Sequence, residues 1–148
     1  MGYQARSFDG QAYIHGERDI GRSRRKSVGR ARRGAVAAVS GLLAEDRVAA
    51  DYETRGYNML ARRWRGKAGE VDLICQRGGC LIFVEVKSAP THAEAGQRLF
   101  RKQMDRICMA ACEFCGDRPA GLLSEMRFDA ALVDAMGRIE VIENAFGG

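Results

Sequence analysis

Gly78-Gly79 stands between two runs of residues, Glu70 to Arg77 and Cys80 to Lys87, and the second run carries Leu81, Ile82, Phe83, Val84 and Val86, all of high strand propensity. Two glycines between two such runs predict a tight β-hairpin. With Gly78 and Gly79 as the two turn residues, Arg77 faces Cys80, and counting back along both strands puts Asp72 opposite Glu85 and Glu70 opposite Lys87. Side chains alternate along a strand, so these four charged residues project from one face while Ile82, Val84 and Val86 occupy the other. A three- or four-residue turn would instead shift the register and weaken the direct opposition to a diagonal one.

Two carboxylates set directly against each other repel unless a cation or a proton relieves them. A divalent metal is the natural relief. Hard oxygen ligands a few ångströms apart suit Mg²⁺ or Mn²⁺, where the protein gives one or two carboxylates and substrate phosphates and water complete the shell. Lys87 then orients or helps deprotonate the attacking water and offsets charge at a scissile phosphate. Glu-x-Lys in a strand is by itself commonly a solvated face; the opposed Asp72 is what lifts Glu85-Val86-Lys87 above that reading.

Around the hairpin the chain reads as one domain. Residues 35–55 are rich in Ala, Leu, Glu and Arg, with Ala38, Leu42, Glu45, Ala49 and Tyr52 at helical spacing before Gly56, which predicts a first helix with Glu45 on an otherwise apolar stripe. That helix can deliver Glu45 to the Asp72 side of the hairpin. Tyr57 to Trp64 reads as a strand, and a loop through Gly66 and Gly69 leads into Glu70. Pro90 ends the hairpin region. Ala95 to Cys115 has a second helical pattern, closed by Gly116 and Pro119, and Phe128 to Asp134 and Ile139 to Ile142 are two further strands across Met136-Gly137. The predicted order is α-β-β-β-α-β-β.

Charge divides the chain differently. The 148 residues carry a net charge of +5, yet residues 1–35 hold nine basic and three acidic side chains, so the remainder is close to neutral at −1. Residues 1–34, with glycines spread among polar residues, read as a basic, flexible arm, and residues 35–148 as the folded domain. A basic arm of this kind contacts nucleic acid through electrostatics that carry no sequence information, the alternative being a merely solvated tail. No apolar run approaches the roughly 18 residues of a membrane span. Five cysteines, none before Cys75, argue against a secreted disulfide framework and make a reducing cytoplasm the expected location. The Arg pairs ahead of the Ala-rich stretch also imitate a twin-arginine signal, but cleavage near Ala44 would remove the first helix.

Gly69-Glu70-Val71-Asp72-Leu73-Ile74 followed by Leu81-Ile82-Phe83-Val84-Glu85-Val86-Lys87 resembles the signature of the YraN-like bacterial proteins, a branch of the PD-(D/E)XK nuclease superfamily. Gly41 to Glu45 is similar to that family's first helix, Lys102-Gln103 and Arg106-Ile107 to its second, and Arg127-Phe128-Asp129 with Asn144-Ala145-Phe146 to its C-terminal end. The resemblance spans about residues 41–146 and leaves out the arm. It implies an α/β, restriction-endonuclease-like fold with a mixed central sheet flanked by helices. It further implies that Asp72 and Glu85 bind Mg²⁺, that Lys87 assists hydrolysis and that Glu45 completes the catalytic and metal-binding set. Val71 stands where the superfamily motif has proline.

Other residues carry weaker signals. Trp64 with Arg62, Arg63, Arg65 and Lys67 mixes an aromatic with cations just before the site, a cluster that either grips a nucleic acid or forms a plain surface loop. Lys102 and Arg106, four apart on the second helix, could contact phosphate or simply line an exposed face. His92 falls in a loop beside the hairpin and reads first as an ordinary loop histidine. Cys108, Cys112 and Cys115 share the C-x₃-C-x₂-C spacing of iron-sulfur sites, but their place on a helix favours packed thiols. The leading expectation is therefore a Mg²⁺-dependent (or Mn²⁺-dependent) endonuclease-like enzyme on DNA or another nucleic acid, with Arg63, Arg65, Lys102 and Arg106 as backbone contacts. The alternative is a nucleic-acid-binding module with a vestigial, non-catalytic site. Homodimerisation stays open, and no membrane partner is expected.

Deletion of residues 1–34 is expected to leave a cooperatively melting domain whose nucleic-acid binding is weaker and less salt-sensitive. Thermal melts and binding isotherms between low and moderate salt check both halves; an unchanged salt slope would count against the arm as a contact.

Overall fold

Five strands form one sheet whose spatial order is their order in the chain, β1-β2-β3-β4-β5. The computed structural model describes residues 41–146, so the basic arm, the boundary at residues 34 and 35 and the first residues of the expected helix one lie outside the described residues. Helix α1 covers 41–54 of the described chain. It is followed by β1 (Asn58–Arg65), β2 (Glu70–Arg77), β3 (Cys80–Ser88), α2 (His92–Gln97), α3 (Arg101–Gly116), a single 3₁₀ turn (Gly121–Leu123), β4 (Glu125–Val133) and β5 (Ile139–Ile142).

The hairpin and its turn are the ones expected as far as Leu73 and Val84, but the ladder does not extend to the expected pairs of Asp72 with Glu85 and Glu70 with Lys87. Arg77 pairs with Cys80 and the ladder runs without slippage to Leu73 opposite Val84. Gly78 takes the left-handed backbone, φ 59°, which the tight turn requires and glycine adopts at no steric cost. Strands β1, β2 and β3 are antiparallel neighbours, β3 and β4 are parallel over Cys80 to Ser88, and β4 and β5 are antiparallel. A parallel pair needs a crossover, and α2 with α3 provides it. The α/β architecture, a mixed sheet flanked by helices, is the restriction-endonuclease-like arrangement expected.

The differences in detail have local causes. Helix two is divided: α2 begins at His92, capped by the Thr91 hydroxyl, and ends at Gln97, after which Arg98 to Phe100 interrupt the helix before α3. Gly96, of low helix propensity, stands in the last turn of α2, the Arg98 N–H closes the helix on the Ala95 and Gly96 carbonyls, and Leu99 packs on the small apolar cluster of Ala89, Ala95 and Leu132. Strand β4 starts three residues early, at Glu125, because its first residues pair with Cys80 and Leu81 of β3.

Alternation along β3 divides the core. Ile82, Val84 and Val86 pack with Ala44, Val48 and Tyr52 of α1. Leu81 and Phe83 pack with Ile107, Ala111 and Cys115 of α3. The stripe that α1 buries is Ala44, Val48, Ala49 and Tyr52, while Leu42 is exposed and Glu45 sits at the border of the stripe. No helix among the described residues is long and apolar enough to cross a membrane.

One polar knot ties the α1 layer to the sheet. Asp129, fully buried on β4, accepts from the Tyr52 hydroxyl at 2.7 Å, from Arg127 Nε and Nη2 at 2.8 Å each, and from the Asn144 backbone N–H at 3.1 Å. The two Arg127 bonds make a bidentate, charge-assisted pair, the strong kind of hydrogen bond. Burial and the Asp129 charge push the Tyr52 hydroxyl well above its ordinary pKa, and the hydrogen bonds to Asp129 raise that of Arg127.

A second tie sets the entry to β2. The backbone N–H groups of Lys67 and Ala68 each donate to the Glu113 carboxylate of α3 at 2.7 Å, and Gly66 N–H donates to the Gly69 carbonyl at 2.9 Å. Gly66 is required by close approach: a Cβ there would run into the Glu113 carboxylate and the Trp64 ring. Gly66→Ala is expected to destabilise the domain by about 1–3 kcal/mol through this overpacking. A denaturant titration measures it, and a variant as stable as wild type would show that the loop does not need the clasp.

Candidate metal centre

Asp72, Glu85 and Lys87 meet where β2 and β3 part. The ladder between these strands stops at Leu73 and Val84, one step before Asp72 would face Glu85. The Asp72 side chain supplies the missing link itself: its Oδ2 accepts from the Val86 backbone N–H at 2.9 Å. Strand β3 is meanwhile held from its other side, with Glu85 and Lys87 paired to Ala130 and Leu132 of β4. Asp72 and Glu85 therefore do not form a ladder pair; what remains of the expected opposition is electrostatic, the Asp72 charge helping to push the Glu85 carboxyl up.

All three side chains are buried, Asp72 at 1%, Glu85 at 0% and Lys87 at 6% exposure. Lys87 Nζ lies 2.8 Å from Glu85 Oε1. Among the described residues no hydrogen-bond donor reaches Asp72 Oδ1 or Glu85 Oε2. Buried carboxylate oxygens without donors are costly, and one ammonium does not offset two carboxylates. Burial pushes the pKa of Asp72 up, and burial followed by the Asp72 charge pushes that of Glu85 well above the usual carboxylate range. Hard oxygens of this kind fit a divalent cation, and Mg²⁺ is ordinarily bound by only one or two protein carboxylates.

The remaining acidic residues gather around a different cation. Arg63 Nε lies 3.5 Å from Glu45 Oε2 of α1 and 3.6 Å from Glu70 Oε1, and Arg65 Nη2 lies 3.4 Å from Glu70 Oε2. Glu45 therefore does not converge with Asp72 and Glu85 into one carboxylate set, and among the described residues no group of three or more His, Cys, Asp or Glu forms a metal-holding cluster. Arg63 itself has a left-handed backbone, φ 51°, which for a residue with a Cβ costs about 1–2 kcal/mol. The β1–β2 ladder correspondingly passes from Arg62 opposite Leu73 to Trp64 opposite Val71, skipping Arg63 and Asp72.

That twist distributes the basic cluster before the site. Arg62 pairs with Asp46 and Glu53 on α1. Trp64 turns to the other layer and packs edge-on against Phe114 of α3, with ring centroids 5.5 Å apart, so the indole is a core contact rather than an exposed stacking platform. Arg65, Lys102 and Arg106 are exposed, and the Arg106 stem runs beside Gly69, next to Glu70.

The distractors resolve by place. His92 opens α2, donates from Nε2 to the Arg138 carbonyl at 2.9 Å and has Nδ1 3.2 Å from Glu140, so it is tied to the β4–β5 turn. Cys115 is buried against Met126, Cys108 is half-buried and Cys112 is exposed. Cys75, in the α1 layer, has its thiol pushed up to about 12 by burial, which keeps it inert. The residues that sequence reasoning passed over are Arg63 as a partner of Glu45, and the Asp129 knot one register step from Glu85.

The raised carboxyl pKa values fix a pH dependence. In the metal-free protein the folded state binds more protons than the unfolded one once pH exceeds the ordinary carboxylate range near 4, so stability falls as pH rises from there toward the raised folded values. Glu85→Gln leaves Lys87 with the Asp72 carboxylate and removes the repulsion. In a chelator it is expected to match wild type at low pH and to be more stable by about 1–3 kcal/mol at neutral pH. Denaturant midpoints across the range check this, and parallel curves for the two proteins would contradict it.

The model of the uncharacterised protein family UPF0102 matches residues 44–133. A UPF0102 protein of Cereibacter sphaeroides is 53% identical over 113 residues, 76% of this chain and 97% of the relative. One from Ruegeria pomeroyi is 50% identical over 117 residues, covering 79% and 95%, and one from Dinoroseobacter shibae is 49% identical over 114 residues, covering 76% and 84%. The matched segment contains β1, β2, β3, both crossover helices and β4, and with them every residue of the candidate centre. The chain belongs to the uncharacterised protein family UPF0102, the YraN-like family.

Proposed function

We propose that this protein is a divalent-metal-dependent nuclease that hydrolyses phosphodiester bonds in nucleic acid, with DNA as the first candidate. The observation that carries the reading is the buried Asp72, Glu85 and Lys87 group, with carboxylate oxygens that no donor among the described residues reaches. Two acids and a base arranged in this way do nothing for stability that apolar residues would not do better. Asp72 and Glu85 are the residues to hold Mg²⁺ or Mn²⁺. When bound, such an ion supplies Lewis-acid polarisation of the phosphate and lowers the pKa of the attacking water.

The protein side chains account for the rest. Asp72 is oriented by its bond to Val86 N–H and cannot rotate away without orphaning that donor. Lys87, held 2.8 Å from Glu85, offers its ammonium protons to the water and to the charge that develops on the phosphate. Arg65, Lys102 and Arg106 are exposed and are our candidates for contacts to backbone phosphates, which position a strand without reading its sequence. The pairing of Glu45 with Arg63 favours a second reading, a nucleic-acid-binding module that does not cleave.

Labelled single-stranded, duplex, flapped and branched DNA, with matching RNA, in Mg²⁺ or Mn²⁺ decide between the two. Cleavage is expected, and Lys87→Met is expected to reduce it by about 10²-fold or more because the water and phosphate lose their nearest ammonium. Mn²⁺ should raise the melting temperature of wild type and of Lys87→Met but not of Asp72→Asn, since only a ligand of the folded state stabilises it. Undiminished cleavage by Lys87→Met overturns the mechanism, and binding of the whole panel without cleavage favours the second reading.

A further inference from the structure

We propose that Gln103 is a positioning residue of the candidate centre, its side-chain amide oxygen accepting a hydrogen bond from a water held beside the cation of Asp72 and Glu85. The inference rests on the metal reading above. Among the described residues, the buried side-chain nitrogen and oxygen atoms without a hydrogen-bond partner belong to three residues, Asp72, Glu85 and Gln103. The third lies on α3, outside the hairpin. An amide oxygen taken out of water with no donor costs stability, and a methionine of similar length would not carry that cost.

The neighbours of Gln103 along the chain fix its level over the sheet. Leu99, four residues earlier, packs on the cluster that contains Leu132, the β4 partner of Lys87. Ile107, four residues later on the same helix face, lies in the cluster of Val71 and Phe83, against which Phe128 packs. Phe83 and Phe128 are ladder partners, stacked with ring centroids 5.5 Å apart. Between the Phe83 level and the Lys87 level, this face of the parallel ladder holds one pair, Glu85 with Ala130, and Ala130 contributes only a methyl group. Gln103 thus stands at the level of Glu85, while Arg106, on the next turn, runs beside Gly69 at the approach to Asp72. Two carboxylates and an amide oxygen are all acceptors. A cation satisfies the first two, and a water beside it donates to the third while its lone pair stays turned to the cation, the way an outer acceptor tunes an ion site.

Mn²⁺ titration of the full chain, followed by the free-ion electron paramagnetic resonance signal, tests this without any substrate. Wild type is expected to bind an ion that Asp72→Asn loses. Gln103→Met keeps the length of the side chain and removes the oxygen, and is expected to bind that ion about 10-fold or more weakly. In a chelator the same variant is expected to melt at the wild-type temperature or above it, because a buried acceptor without a donor has gone. Gln103→Leu serves in its place if the methionine variant does not fold. Gln103→Glu, which keeps an acceptor at the same reach, should bind Mn²⁺ at least as tightly as wild type. Unchanged Mn²⁺ affinity in Gln103→Met overturns the inference alone, as does a Gln103→Glu variant as weak as Gln103→Met. A melting temperature of Gln103→Met below wild type in the chelator does the same, since it marks the amide as a structural hydrogen-bonding group. No ion in wild type, or one that survives Asp72→Asn, overturns the metal reading and this inference with it.

Discussion

Burying two carboxyl groups beside one ammonium is the demand that shapes the sheet around it. A regular antiparallel ladder would have put Asp72 and Glu85 in a direct cross-strand pair with nothing to separate them. Instead β2 and β3 part after Leu73 and Val84, and the Asp72 carboxylate takes over the hydrogen bond that the ladder gives up. The parallel pairing of β3 with β4 then has to carry that end of β3 alone. It does so as far as Ser88 and Val133.

The same demand explains why so many ties converge on the head of β2. Glu113 of α3 clasps the loop before it, Arg63 and Arg65 hold Glu70, and Arg63 reaches on to α1. Together the ties bring β1, α1 and α3 to that point. A pair of buried carboxyl groups that repel one another needs such external support, because its own electrostatics would spread it apart. The scaffold therefore preorganises the carboxylates, and on the proposed metal reading that is where affinity for an ion would come from.

The hairpin, its register and the two-layer covering were legible because they rest on local signals: a double glycine, a run of β-formers, two helical periodicities. Asp72, Glu85 and Lys87 followed from counting that register on from the turn, although the strands part before the count reaches Asp72 and Glu85. Arg63 did not, because nothing in Arg-Arg-Trp-Arg marks which arginine takes a positive φ; that depends on Trp64 finding Phe114 on one side and Glu45 waiting on the other. Asp129 was equally hidden. An acid within Phe-Asp-Ala-Ala-Leu-Val looks like an alternation error until Tyr52 and Arg127 are brought to it. The helix break at Arg98 to Phe100 had a signal in Gly96, but an isolated glycine inside a helical pattern is commonly tolerated, and the break also lets Leu99 pack on Ala89, Ala95 and Leu132.

The Asp129 knot also has a bearing on how the chain acquires its fold. Tyr52 and its acceptor are 77 positions apart, and the Val48 and Ala49 stripe that Tyr52 extends rests partly on Ala131 and Val133 of the same strand. During synthesis α1 emerges well before β4. Its apolar stripe and its phenol wait on a strand that also has to pair parallel with β3, the slower kind of assembly because a long loop must close before any contact rewards it. The step that closes the sheet is thus the step that finally seats α1.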